Sequence, residues 1–166
     1  MPDLGRHETE WAIESAWYYA IRYYSDYGSA LNYYIGEFSA SVEIDAPYCK
    51  IVCTRVEPSN SLAADSIEIA TVEIAIGVRK LTSYGLGSAT YCNVIFGGVR
   101  QLFFNSSLPT YLESGMALRG GIATTTVEPL KVYNSLYQTS SISYVNENDK
   151  LDHIRVATVQ TVVGPS

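Results

Sequence analysis

At 166 residues the chain has the size of one ordinary domain, residues 1–166, and it can bury roughly 70% of the surface its unfolded form exposes. The formal charge of −6 comes with no cluster of Lys or Arg, which disfavours nucleic-acid binding by phosphate neutralisation. Apolar residues make up 47% and charged ones only 17%, so much of the surface is neutral, and the 14 tyrosines suit half-buried positions and contacts with partners.

No run of about 18 apolar residues occurs, so no transmembrane span is expected, and the N-terminal residues lack the basic-then-apolar pattern of a signal peptide. Ile13, Trp17, Ala20, Ile21 and Tyr24 recur at helical spacing and predict a helix over about residues 7–24. Glu8, Glu10 and Glu14 lie near its start, where the macrodipole favours negative charge. Ser25, Asp26, Tyr27 and Gly28 end it, and the Tyr-rich residues 31–35 are ambiguous.

Phe38, Ala40, Val42 and Ile44 alternate with polar residues as in a half-buried strand. Pro47 breaks it, and residues 48–56 form a second extended stretch with apolar residues on both faces. The clearest strand covers residues 66–81. Ile67 and Ile69 lie on one phase and Val72, Ile74, Ile76 and Val78 on the other, and a β-bulge between the two groups would restore one inward face. At about 3.3 Å per residue this strand is roughly 50 Å long, which suggests that part of it projects as a hairpin arm. Its unpaired edge would invite another chain, and Ile67, Ile69, Val72, Glu73, Arg79, Lys80 and Tyr84 are the candidate subunit-interface residues.

A Gly-rich turn at residues 83–88 leads to a second helix over about residues 89–105, with Tyr91, Val94, Ile95, Val99, Leu102 and Phe103 on one face and Ser88 as its N-cap. Gly97 and Gly98 weaken it by roughly 1 kcal/mol each relative to Ala. Residues 106–123 read as loop, punctuated by Pro109, Gly115, Gly120 and Gly121. Residues 124–132, 140–145 and 151–163 read as extended, and the polar turn at 146–150 joins the last two as an antiparallel hairpin. The order α, β, β, β, α, β, β, β predicts an α+β fold: a mostly antiparallel sheet with a long β-hairpin arm and two main helices packed on one face. Trp17, Ile21, Val42, Ile74, Ile76, Val94, Ile95, Val99 and Leu102 are the expected core.

Few residues offer chemistry. Cys49, Cys53 and Cys92 read as small core residues: the first two, four apart on a strand, are too far from each other to bridge, and no paired Cys or His spacing suggests a metal. Asp149, Asp152 and His153 could make an acid–base or metal site, but Asp152 and His153 are strand neighbours that point to opposite faces. Glu43, Glu68 and Glu73 on strands read as solvated edge charges. Gly85, Gly87 and Thr90 form a turn between strand and helix that could hold an anion at the helix start, although a third glycine is missing. No cofactor is expected.

The layout resembles the tail-terminator and tail-completion (neck) proteins of tailed phages. The resemblance rests on an N-terminal helix, a strand opening at Pro47-Tyr48, a long alternating strand from Ile67 to Val78, a helix over residues 91–104, and closing strands ending in His153, Val156 and Val159. It implies a non-enzymatic virion protein at the head–tail junction, held in the host cytoplasm before assembly. Such a subunit forms a homo-oligomeric ring, usually of six, that caps the tail tube and joins it to the head–tail connector protein. DNA would be a passing, non-specific cargo repelled by an acidic inner wall, with no membrane involved. Two alternatives come from other classes: a small-ligand or nucleotide-binding enzyme using the turn at residues 85–90, and a non-viral oligomeric adaptor.

Overall fold

The computed structural model describes residues 8–36, 47–58, 68–79, 88–118, 130–145 and 152–165. Helix α1 (Glu8–Tyr24) is followed by a 3-10 turn (Gly28–Ala30) and strands β1 (Asn32–Ile35), β2 (Tyr48–Pro58) and β3 (Glu68–Arg79). Helices α2 (Ser88–Phe103) and α3 (Leu108–Leu118) come next, and strands β4 (Leu130–Val145) and β5 (Asp152–Pro165) close the chain. The strands form one sheet in the order β1-β2-β3-β5-β4, parallel between β1 and β2 and antiparallel elsewhere. The fold is α+β.

Alternation decides which face of the sheet is inside. On β3 the residues Ala70, Val72, Ile74, Ile76 and Val78 are buried, and opposite them on β5 lie Thr161, Val159 and Ala157, also buried. Both main helices cover this face. From α1, Trp17 Nε1 donates to Thr161 Oγ1 at 3.0 Å, and beside α2, Arg155 Nε donates to Asn93 Oδ1 at 2.8 Å. Trp17 meets Phe103 of α2 edge to face, with ring centroids 5.7 Å apart. Of the expected core, Trp17, Ile21, Ile74, Ile76, Ile95, Val99 and Leu102 are buried, Val94 is only half-buried on the flank of α2, and Val42 lies outside the described residues.

The bulge expected in β3 between Ile69 and Val72 is absent, and the irregularity lies in the neighbouring strand β2. β3 pairs with β5 without interruption from Glu68 to Arg79, so Ala70 carries the inward phase and Ile69 sits half-buried on the other face. In β2 the register shifts between Cys53, opposite Val72, and Arg55, opposite Thr71, leaving Thr54 as the extra residue. Cys49, Ile51 and Cys53 point inward before the shift and Val56 after it, which explains why this stretch carries apolar residues on both phases.

The Cys53 N–H faces the β1 side of β2, beyond the last pairing of Ile35 with Ile51, and the carboxylate of Glu14 accepts it, Oε2 lying 2.9 Å away. Glu14 is therefore fully buried in the body of α1 instead of serving the helix dipole in water. The burial of α1 is wider than one stripe: Ala12 to Trp17 are all enclosed, because the sheet lies on one side and α3 on the other, whereas Tyr24 at its end is exposed.

Helix α3 takes up residues 108–118 of the loop expected over 106–123, and residues 119–123 lie outside the described residues. Asn105 starts it: its Oδ1 accepts the Ser107 N–H at 2.9 Å and its carbonyl accepts the Leu108 N–H at 3.0 Å. Pro109 falls in the first turn, where a missing N–H costs nothing. Leu108 and Leu112, four apart, are buried. Gly115 lets α3 approach α1, since a Cβ there would lie 2.8 Å from Ala16 Cα and 2.7 Å from Tyr19 Cβ.

Two strand expectations also change. Residues 130–132 and 140–145 belong to one long strand, β4, with an irregularity between Gln138 and Ser143, and its antiparallel pairing with β5 is the expected hairpin. β3 has 12 residues, about 40 Å. It is the middle strand, bonded to β2 on one edge and β5 on the other. Its length is thus used inside the sheet, and no projecting arm is found among the described residues. The strand expected over 38–44 lies outside them.

Glu14→Leu should lower stability by about 1–3 kcal/mol, because it strands the Cys53 N–H in the core. Glu14→Gln, which keeps a carbonyl acceptor, should cost less. Urea denaturation of the three proteins measures the difference, and a Leu variant as stable as the parent would refute the role given to Glu14.

Candidate functional site, the tyrosine-rich end of the first helix

The second half of α1 carries Tyr18, Tyr19, Arg22, Tyr23 and Tyr24. Trp17, Ala20 and Ile21 turn inward, so the tyrosines and Arg22 are left on the flanks and at the end. The helix stops where Ser25 bonds the Ile21 carbonyl through both its N–H (3.3 Å) and its hydroxyl (2.5 Å). Tyr27 then adopts the left-handed conformation at φ 64, and Gly28 packs so closely under the helix end that a Cβ would meet the Ile21 carbonyl oxygen at 2.1 Å.

This turn directs the chain into β1, which brings Tyr33 back to Tyr18 with ring centroids 4.9 Å apart, edge to face. The Tyr33 hydroxyl donates to the Gly28 carbonyl at 2.5 Å. Burial pushes the Tyr33 phenol well above its ordinary value, so it stays a protonated donor. Tyr24 stacks on Tyr111 of α3 with centroids 3.6 Å apart and planes 7° from parallel, and Tyr19 lies beside Tyr23 and Tyr24. The hydrogen bond with Tyr19, and then burial, raise the Tyr24 phenol. Tyr27 meets Tyr91 of α2 at 6.2 Å. Tyrosines from both main helices, α3 and β1 thus meet around one helix end, and Tyr23, Tyr24 and Tyr27 remain 61%, 44% and 47% exposed.

On the Tyr18 flank lies a groove of about 460 Å³ lined by Tyr18, Arg22, Leu31 and the four residues of β1. Among the described residues, Arg22 is the one charged side chain in it. The guanidinium lies 5.8 Å from the centre of the Tyr18 ring and 5.7 Å from that of Tyr23, and Nη1 donates to the Tyr18 hydroxyl at 3.1 Å. The Tyr18 phenol is the main cause that holds Arg22 above its ordinary value.

The interface residues expected from sequence do not gather here. Val72 is fully buried in the core and cannot meet a partner. Ile69, Glu73 and Arg79 share the sheet face opposite the helices, with Glu73 exposed and the other two half-buried. Ile67, Lys80 and Tyr84 lie outside the described residues. So do Glu43, Asp149 and the first part of the turn at residues 85–90, from which Ser88 emerges as the first residue of α2. The tyrosine site had a signal of its own: the doublets Tyr18-Tyr19, Tyr23-Tyr24 and Tyr33-Tyr34 fall within 17 residues, from Tyr18 to Tyr34.

Among the described residues no group of three or more His, Cys, Asp or Glu side chains is placed to hold a metal ion, and no helix is long and apolar enough to cross a membrane. His153 is half-buried opposite Val78, and its carbonyl lies 3.4 Å from Cys92 Sγ. The three cysteines are unbridged and buried. Burial pushes the Cys92 thiol up to about 11 and the Cys49 thiol higher still.

The folded chain therefore holds thiol protons that the unfolded chain releases above about pH 8.5. Stability should be unaffected by these groups below that pH and should fall as the pH rises toward 11, where Cys92 ionises in place. At about pH 8 iodoacetamide should label none of the three thiols in the native protein and all three in denaturant, as mass spectrometry would read. Rapid native labelling of Cys92 would contradict its burial.

In comparison with known proteins, the sequence matches no protein-family model and no curated protein.

Proposed function

We propose that this chain is a non-catalytic structural subunit that acts by binding other protein chains, of the tail-terminator or neck type found at the head–tail junction of tailed phages. The observation that carries the binding role is the tyrosine surface, with Tyr23, Tyr24 and Tyr27 exposed at the end of α1. Each ring offers apolar area with a polar tip and loses little conformational entropy when held, which is why Tyr is enriched in protein interfaces.

The order of elements supports the specific type. A leading helix, an antiparallel pair opening at Tyr48, a helix starting at Ser88 and a closing hairpin follow one another as in the tail-terminator layout. On this reading the chain forms a ring, most simply of six copies, between the tail tube and the head–tail connector. The earlier reason for a ring, an unpaired long strand, does not apply to β3, so assembly is assigned to the aromatic surface.

Negative-stain electron microscopy and native mass spectrometry of the purified chain at high concentration, alone and with a tail-tube protein, test this. A closed ring is expected. The triple variant Tyr23→Ser, Tyr24→Ser, Tyr27→Ser should stay folded by circular dichroism but lose assembly. A chain that remains monomeric in both settings would overturn the proposal.

A further inference from the structure

The groove beside α1 has a definite chemistry, and resting on the protein-binding reading above, we propose that it receives an extended segment of another protein, bound as an added strand on β1 with a carboxylate side chain on Arg22. Two observations meet here. The first is the direction of the β1 backbone. The Asn32 N–H donates to the Pro47 carbonyl and the Gly36 N–H to the Ile51 carbonyl, both at 2.9 Å. Residues 32, 34 and 36 therefore face β2, and by the two-residue alternation of a strand the amides of Tyr33 and Ile35 point away from it. β1 ends the sheet order, and no strand among the described residues lies beyond it.

The second observation is the charge of the groove along that edge. Among the described residues, Arg22 is the one charged side chain that lines it. The rings of Tyr18 and Tyr23 hold the guanidinium, so little side-chain freedom is lost when it pairs. An Arg fork matches a carboxylate in two parallel hydrogen bonds. The rest of the lining is Tyr18, Tyr33 and Tyr34 with Leu31, Ile35 and Asn32, a mostly apolar wall with a few polar tips that suits an extended backbone and its side chains. Four strand residues give an edge of about 13 Å, enough for a segment of four or five residues and too short to template sheet growth.

The test uses the full chain and a labelled host peptide, acetyl-Thr-Val-Glu-Val-Thr-amide. Fluorescence anisotropy reads affinity, and hydrogen exchange reads location. The peptide should bind and slow exchange in the segment containing Tyr33 and Ile35. Replacing its Glu by Gln, or Arg22→Leu in the protein, should weaken binding by about tenfold. A fully N-methylated peptide should not bind, and this arm leaves the protein untouched. Ile35→Pro, which removes an outward N–H and leaves the bonds to β2, should act in the same direction. Absence of binding at millimolar peptide, protection elsewhere, or equal binding of the Glu and Gln peptides would overturn the proposal. Ring formation is read on the unaltered chain without peptide, so such a failure would leave the assembly reading standing.

Discussion

One extra residue in β2 sets the shape of this domain. A strand can face a core continuously only if its alternation is unbroken, yet β2 carries inward residues of both phases, Cys49, Ile51 and Cys53 and then Val56. Thr54 resolves this by stepping out of register, so that both halves meet the unbroken alternation of β3. Just before the step, β1 has ended and the Cys53 N–H on that edge of β2 has no strand to pair with, a backbone donor in the core of the kind that must be answered. Glu14 answers it with a carboxylate oxygen at 2.9 Å. A buried acid in the middle of an otherwise apolar helix face is costly alone. Here it pins α1 to β2 at one position along both elements, and simple hydrophobic burial does not specify position that sharply.

Once that position is set, the rest of α1 follows at helical intervals. Trp17, three residues on, reaches Thr161 on β5 with its indole N–H and meets Phe103 of α2 with its ring. Ala20 and Ile21 complete the buried side. Tyr18 and Arg22, four apart on the next flank, are carried over β1. The tight turn at Tyr27 and Gly28 then returns the chain to form β1 under those same side chains. The groove is thus built by α1 and by the segment that directly follows it, and its geometry depends on the contact between Glu14 and Cys53 two turns earlier. A change in the core at Glu14 would be felt at Arg22.

How much of this is legible in the residues depends on whether one element or two decide a feature. The inward run Ile74, Ile76 and Val78 needs only its own alternation, and the α+β arrangement follows from it and from the stripe of Ile13, Trp17 and Ile21. The bulge is shared between strands: Ile69 is the larger apolar residue and draws the eye, but Ala70 is the one that faces the helices, and the irregularity belongs to β2. α3 hides behind its own punctuation, since Pro109 and Gly115 look like loop residues until one knows that the first opens a helix and the second presses against Ala16. The length of its strand suggests an arm and so makes Val72 look like an interface residue, but pairing on both edges places it in the core. The tyrosine site joins residues from four elements, and no single periodicity announces it.

Those tyrosines also bear on how the protein can meet partners. A charged interface would be steered and selected by long-range fields that salt screens within about 8 Å at physiological strength. This surface has little charge to steer with, so its contacts depend on shape, ring packing and short hydrogen bonds from phenols. Several rings are already held by other rings before any partner arrives, as in the stack of Tyr24 on Tyr111 and the edge contact of Tyr18 with Tyr33. Preorganised side chains lose little freedom on binding, which favours contacts that persist once made.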